Sequence, residues 1–292
     1  MKRSKASMLT FATFSMASAC FGQPKEPCFA FLLKGDLIVV CQGRTTRITH
    51  RGDIEHFAVS DESSSLAYTT SRIIRRDAVS ATAVYTATVV NLKTAETKQV
   101  IGVTGVVSSC GGILTNQVGQ LPGTQDIVTG QEVSFAPYVR FRCSTDHRVV
   151  AGITRGAGGR IPMSDLYEGL PPSRRIAAAE DVYVHYFNVS PDGSRIAWFN
   201  DGRPLCVLSG DGPAQCVDHS TLSDPVSVNN AGEVLIAAGT GQGCDNDECL
   251  GIGYWKAGLP SIVFLEPIGR NPQWLSAGSA ALLEKWPGQR GR

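Results

Sequence analysis

The chain has 292 residues, of which 42% are hydrophobic and 18% charged, and its formal net charge is +1. That length holds one large all-β domain or two average ones, with apolar residue enough for a real core. The cations are scattered, which argues against a nucleic-acid face, and 31 glycines favour many short strands joined by turns.

Lys2, Arg3 and Lys5 precede a short apolar stretch from Met8 to Ala19, and Ala17-Ser18-Ala19 reads as a small-residue cleavage site. The pattern is that of an export signal over residues 1–22. The stretch is too short to span a bilayer as a mature helix, and no later stretch is long enough. Ala17-Ser18-Ala19-Cys20 also weakly resembles a bacterial lipobox, with Ala17 where a larger aliphatic residue is usual. Cys20 therefore has two fates: lipidation, which would bring membrane contact, or loss by cleavage after Gly22. Residues 23–288 are expected to form a single domain, with 289–292 as a tail.

Nine cysteines occur, and the eight beyond Cys20 are even in number, as a disulfide framework requires. Residues 28–41 read CFAFLLKGDLIVVC. A two-residue turn at Lys34-Gly35 sets Leu33 opposite Asp36 and, counting outward, Cys28 opposite Cys41. Residues 206–216, CVLSGDGPAQC, turn about Asp211 and set Cys206 opposite Cys216. Cys244 and Cys249 flank a four-residue loop, which leaves Cys110 for Cys143. Zinc would need a C-x-x-C pair or a Cys/His cluster, and the sequence has neither.

The strands follow in order. CFAFLL, DLIVVCQ and TTRIT fall within 28–49. FAVSDESSSLAYT (57–69) is a strand, a polar turn and a returning strand, continued by AVYTATVVNL (83–92) and TKQVIG (97–102). VVSSCGGILT (106–115) is a degenerate copy and FRCSTDHRVVA (141–151) a clearer one. FNVSPDGSRIAWF (187–199) is the sharpest. There Pro191 fixes its own φ, and Asp192-Gly193 is a strong reversal signal. LCVLS (205–209) and AQCVD (214–218) complete that unit. PVSVN (225–229), VLIAA (234–238), GIGYWK (251–256) and SIVFL (261–265) make the next. WLSAGSAALLEKW (274–286) is the last, with two strands expected at 272–276 and 280–286.

Aligning Phe57 with Phe187 matches Val59 with Val189, Ser60 with Ser190, Leu66 with Ile196, Ala67 with Ala197 and Tyr68 with Trp198. Phe141, Ser144, Asp146 and Val150 fall on the same frame. A period of ~40–45 residues is that of a four-stranded propeller blade. One blade cannot bury both faces alone, but packing around an axis buries them. The expected fold is therefore an all-β propeller of six four-stranded blades, with five or seven as alternatives. Strands from the two chain ends share the closing blade, which removes an exposed edge.

This frame resembles the WD-repeat-like, TolB-type β-propeller repeat, roughly apolar-x-x-Ser-Pro-Asp-Gly-x-x-Ile/Leu-Ala-Tyr/Trp. Phe187 to Trp198 match it closely, and Phe57 to Tyr68 match it with Asp61-Glu62-Ser63 in place of Pro-Asp-Gly. The resemblance implies the propeller fold and an exported bacterial protein. It specifies no active residues.

A propeller peptidase would need a nucleophile elbow on a separate α/β domain. No G-x-S-x-G occurs, and LSAGS (275–279) is the nearest approach. The five histidines, His50, His56, His147, His185 and His219, lack H-x-x-x-H and H-E-x-x-H spacing. His56 and His185 each precede a first strand and form a candidate pair at the channel mouth, against the simpler reading as packing residues of the repeat. The break at 154–180 carries Arg155, Arg160, Arg174 and Arg175 with Met163 and Tyr167. It is a candidate binding insertion, through Arg155, Arg160 and Tyr167, or else a connector between blades. Asp245, Asp247 and Glu248 in CDNDEC (244–249) have oxygens suited to Ca²⁺, but one short loop rarely supplies a full ligand set. They read better as a solvated rim epitope.

Arg51-Gly52-Asp53 is read as the turn before a blade. Asn188-Val189-Ser190 spells a glycosylation acceptor inside an expected inner strand. The chain is thus expected to be an exported, monomeric binding or scaffold module for a protein or peptide partner, or a glycan. No cofactor, metal, nucleic acid or transmembrane span is expected. The alternative is a propeller lyase or hydrolase with a site scattered about the channel mouth.

Overall fold

Turns rich in Gly, Asp and Asn interrupt the apolar runs every few residues, so the chain folds as short reversing ribbons. The computed structural model describes residues 27–76, 81–103, 107–110, 112–117, 124–146, 150–154, 165–177, 187–199, 204–219, 221–240 and 249–286. The first ribbon is β1 (Cys28–Leu33), β2 (Asp36–Cys41) and β3 (Arg44–Arg47). Blade 1 is β4 (Ile54–Ser60), β5 (Ser65–Arg76), β6 (Ala81–Asn91) and β7 (Thr97–Val103). Blade 2 is β8 (Val107–Cys110), β9 (Ile113–Gln117), β10 (Thr124–Asp126) and β11 (Glu132–Val133). Blade 3 is β12 (Tyr138–Cys143), β13 (Val150–Thr154), β14 (Leu166–Glu168) and β15 (Arg174–Ala177). Blade 4 is β16 (Phe187–Val189), β17 (Arg195–Trp198), β18 (Leu205–Ser209) and β19 (Gln215–Val217). Blade 5 is β20 (Leu222–Val228), β21 (Glu233–Gly239), β22 (Leu250–Lys256) and β23 (Val263–Glu266). Finally β24 (Arg270–Leu275) pairs antiparallel with β1, giving blade 6 the order β24-β1-β2-β3. The fold is a β-propeller of six four-stranded antiparallel blades, closed by both chain ends.

The expected strand at 280–286 is instead a helix, α1 (Ala277–Lys285). The place beside β24 is already taken by β1, and Ala277 to Lys285 carries no β-branched residue. Ser276 caps the helix, accepting from the Ser279 N–H at 3.1 Å, so the LSAGS stretch is a helix start.

Burial is organised by seam. Each pair of neighbouring blades shares its own apolar cluster. The seam between blades 6 and 1 holds Cys28, Leu32, Val59, Leu66, Ala280 and Leu283. The seam between blades 3 and 4 holds Ile153, Leu166, Phe187 and Trp198. This is the physical reason strands here are apolar on both faces.

The repeat motif has a mechanical basis. Ser60, Ser144 and Ser190 are fully buried, and each donates its hydroxyl to the carboxylate two residues on: Glu62 at 3.1 Å, Asp146 at 2.9 Å and Asp192 at 2.8 Å. Ser190 Oγ also accepts from the Arg195 N–H at 3.0 Å, closing the turn. Burial would raise the Asp192 carboxyl, but bonds from the Ser194 N–H and hydroxyl and from Ser190, with Arg195 nearby, hold it below its ordinary value. Replacing Ser190 by Ala leaves the Arg195 N–H without its acceptor. A loss of about 1–3 kcal/mol is expected in urea unfolding, and an unchanged midpoint would refute this role.

The passage from blade 6 into blade 1 turns on Asp36, which is 1% exposed. Its carboxylate accepts from the Arg51 N–H at 2.7 Å, the Gly52 N–H at 3.1 Å, the Thr49 hydroxyl at 3.2 Å and the Arg47 guanidinium. Arg51-Gly52-Asp53 is accordingly a turn held from beneath. Lys34 and Gly35 both adopt positive φ, at 51° and 75°, as a two-residue hairpin demands. A Cβ on Gly35 would stand 2.5 Å from the Gly52 backbone. Burial pushes the Asp36 carboxyl up, but Arg47 and the Gly52 and Arg51 N–H groups outweigh it and hold it below the ordinary range. A lowered folded pKa gives stability that is present above the unfolded value near ~3.9 and lost as pH falls through the folded value. Asp36→Asn is therefore expected to cost about 1–3 kcal/mol at neutral pH. The gap to the native chain should close under acid, and thermal melts at several pH values measure it.

Three disulfides join Cys28 to Cys41, Cys110 to Cys143 and Cys206 to Cys216. Two staple ribbons within a blade, whereas Cys110–Cys143 ties β8 of blade 2 to β12 of blade 3. Cys249 is disulfide-bonded, and Cys244 lies outside the described residues, as does Cys20. Such bonds fit an extracellular or periplasmic setting. No helix among the described residues is long and apolar enough to cross a membrane.

Candidate functional site

The first strand of every blade faces the propeller axis, and together these strands wall a cavity of about 150 Å³. An innermost strand has no further strand to pair with, so its outward backbone groups need other partners. Polar side chains from the preceding blade supply them. Asn188 Nδ2 donates to the Val226 carbonyl at 2.9 Å, and Ser227 Oγ accepts from the Trp274 N–H at 3.1 Å. The Gln273 amide donates to the Val59 carbonyl at 2.8 Å and accepts the Val59 N–H at 2.9 Å. Asn271 Nδ2 donates to the Glu55 carbonyl at 2.9 Å. Much of the remaining wall is small or apolar: Ala58, Val59, Val189, Pro225, Val226 and Pro272.

Ionisable groups enter the cavity at two levels. Arg142 occupies the frame position of Ala58 and Asn188, two residues before the buried serine. Its guanidinium lies 5.7 Å from the Phe187 ring centroid, and Nη1 donates to the Phe141 carbonyl at 2.9 Å. His56 lies 3.2 Å through Nδ1 from the Asn271 amide nitrogen. Asp61 and Glu62 stand at the mouth formed by the first turns. Asp61 accepts from the Ser276 hydroxyl at 2.8 Å, and Glu62 accepts from Thr145 of blade 3 at 2.7 Å. In blade 2 Cys110 pairs with Ile113, and beside that hairpin the Thr145–Glu62 bond joins blade 3 to blade 1. The lacing continues from the Thr145 N–H to the Pro191 carbonyl at 2.7 Å and from the Asp192 N–H to Asn230 at 3.0 Å.

Of the residues singled out in the sequence, His56 reaches this cavity. His50 is exposed, and His219 packs edge-on to Phe264 at 6.3 Å on the outer part of blade 5; neither lines it. His147, His185, Arg155, Arg160, Met163, Asp245, Asp247 and Glu248 lie outside the described residues. Tyr167 is described, and it lies in a strand, β14, rather than in a long loop. The break at 154–180 contains β14 and β15, and Tyr167 pairs with Arg175 across them. Its hydroxyl donates to Asp165 at 3.3 Å, away from the cavity. Arg174 and Arg175 are likewise engaged, with Asp211 at 2.6 Å and Asp165 at 3.0 Å. Outer strands are half exposed, so their polar composition hid them. In Asn188-Val189-Ser190 the acceptor Asn188 lies on the inner strand, and its Nδ2 is taken up by the Val226 carbonyl at 2.9 Å. Arg142, Asp61, Glu62 and Gln273 were not anticipated, although the repeat frame already aligned Arg142 with Asn188. Among the described residues no three His, Cys, Asp or Glu side chains group as metal ligands.

Blades, seams and channel define a six-bladed β-propeller. No family model matches the chain, and no curated protein matches it. Solved structures do. The acylaminoacyl peptidase of Pyrococcus horikoshii aligns at a TM-score of 0.51 and 10% identity, over 89% of this chain and 45% of that one. The chain thus spans less than half of that peptidase. The β-propeller domain of the Trilobed protease from Pyrococcus furiosus aligns at 0.45 and 12% identity, over 84% of this chain and 81% of that one. Regucalcin, a calcium-binding protein from Agrobacterium tumefaciens, aligns at 0.42 and 11% identity, over 75% and 73%. At such identities the likeness shows the fold alone.

Proposed function

We propose that the chain is an exported bacterial β-propeller that binds a protein or peptide partner, or a glycan, at the channel mouth framed by its first turns. The observation that supports this is the state of the wall. Its amides hold neighbouring blades together, and its mouth carboxylates accept from Ser276, Ser60 and Thr145. Between them lie small and apolar surfaces suited to contact. The signal pattern at 1–22, the TolB-type frame and the disulfides support export, with Cys20 either lipidated or removed. In this reading Arg155, Arg160, Asp245, Asp247 and Glu248 add contacts to the partner, and Tyr167, on β14 and outside the cavity, adds one only for a partner that reaches beyond the mouth.

The enzymatic alternative rests on one observation: His56, Asp61, Glu62 and Arg142 line the same cavity. A photo-crosslinking residue at Pro191, on the mouth, separates the two when compared with one at Arg44, on the outer strand β3. Binding at the mouth gives one reproducible adduct from Pro191 and none from Arg44, in the producing cell. Turnover of a small substrate, lost in Arg142→Ala and without any mouth adduct, would overturn the binding reading.

A further inference from the structure

Among the described residues the outer strand of each blade has a free edge, and five of the six are blunted along the strand itself. β3 reads Arg-Thr-Thr-Arg and β15 Arg-Arg-Ile-Ala, while β7 carries Lys98 and Gln99 beside Ile101. β11 has two residues, one of them Glu132, and β19 has three, stapled through Cys216. Charge and shortness are the usual means of preventing stray strand pairing. β23 is guarded only at its ends, by Pro260, Glu266 and Pro267, and carries no charge over Val263, Phe264 and Leu265, which are 49%, 38% and 43% exposed. Ile268, just beyond, is 43% exposed.

Val263 pairs with Tyr254 and Phe264 with Gly253 on the β22 side. The opposite side of β23 makes no backbone hydrogen bond among the described residues. The Phe264 ring lies over Gly251, where a Cβ would stand 2.9 Å from it, and meets His219 edge-on. Glu266 ends the strand half-buried, with no ion pair among the described residues. Burial pushes its carboxyl above the ordinary range, so a cation placed there would be favoured.

We propose that the outer edge of β23 docks a short extended segment of a partner protein, added as a fifth strand of blade 5, with apolar side chains against Val263, Phe264 and Leu265 and a Lys or Arg against Glu266. Strand addition draws affinity from main-chain hydrogen bonds and selectivity from the side chains alongside. The site faces away from the channel and does not depend on binding there. A second copy of this chain is a poorer occupant. The four exposed side chains offer on the order of 300 Å², against roughly 800 Å² per partner in a stable interface. A second β23 would also bring Glu266 and no cation. Pro260 and Pro267 bracket the strand and a bulge at Leu265 bends it, so the added segment is short and cannot propagate.

The test uses the full oxidised chain and a fluorescent probe peptide of alternating valine and threonine closed by a lysine, followed by anisotropy. Saturable binding is expected, weakened more than about tenfold by Phe264→Lys, by Val263→Lys and by Glu266→Lys. A probe closed by aspartate should restore binding to Glu266→Lys, and circular dichroism checks that each variant folds. Absence of saturable binding, or indifference to the Phe264 and Glu266 substitutions, would overturn the proposal. So would a native dimer in sedimentation that Phe264→Lys dissolves, because the occupant would then be a second copy.

Discussion

A chain ending at Gly269 is expected to lose cooperative unfolding and to elute expanded on size exclusion. Removal of β24 strips β1 of its pairing partner along Cys28↔Leu275, Phe29↔Trp274 and Ala30↔Gln273. It also deprives the Val59 N–H and carbonyl of the Gln273 amide, and the Glu233 carbonyl of the Trp274 indole N–H at 3.0 Å. Loss of α1 uncovers the seam where Ala280 and Leu283, 1% and 0% exposed, pack with Leu32 and Leu66. Each large apolar side chain returned to water costs about 1.5–3 kcal/mol, so the sum rivals the ~5–15 kcal/mol stability of a whole domain. Gln273→Ala isolates one tie and should cost about 1–3 kcal/mol in urea unfolding. A truncated chain with the native midpoint would mean that closure through the two ends does not hold the ring.

Removing the Cys110–Cys143 bond should destabilise the protein more than removing Cys206–Cys216. The first closes a separation of 33 residues and the second one of 10. Chain-entropy arguments assign about 3.7 and about 2.7 kcal/mol to loops of those sizes. Location widens the gap. Cys206–Cys216 restrains a hairpin whose strands already pair, whereas Cys110–Cys143 joins separate blades. The cluster at that seam, Cys110, Tyr138, Phe141 and Cys143, is the smallest of the six described. Cys110→Ala/Cys143→Ala and Cys206→Ala/Cys216→Ala, unfolded in urea, give the comparison. Hydrogen exchange should rise first across β8 and β12 in the former. Equal midpoints would remove the special role given to the seam between blades 2 and 3.

Legibility followed the range of the interactions. The hairpin Cys28 to Cys41 was readable because Lys34-Gly35 sets its register locally, and the observed Leu33↔Asp36 pair is the one the turn demands. The frame shared by Phe57 and Phe187 was readable because each copy must bury the same faces and close the same turn around a buried serine. The candidate site was far less readable. Gln273 serves Val59 from 214 residues away, and no local pattern announces such a partner.

Strand order within a ribbon, the blade repeat and the two in-blade disulfides are local properties, written in turn chemistry and in the alternation of side chains. Three things waited for the closed ring. Residues 277–285 became helix because β1 already occupied the neighbouring place. β14 and β15 emerged from a polar stretch because outer strands need only one buried side. Arg142 and His56 came to share a cavity because six first strands converge on one axis, and convergence belongs to the assembled blades rather than to any one of them.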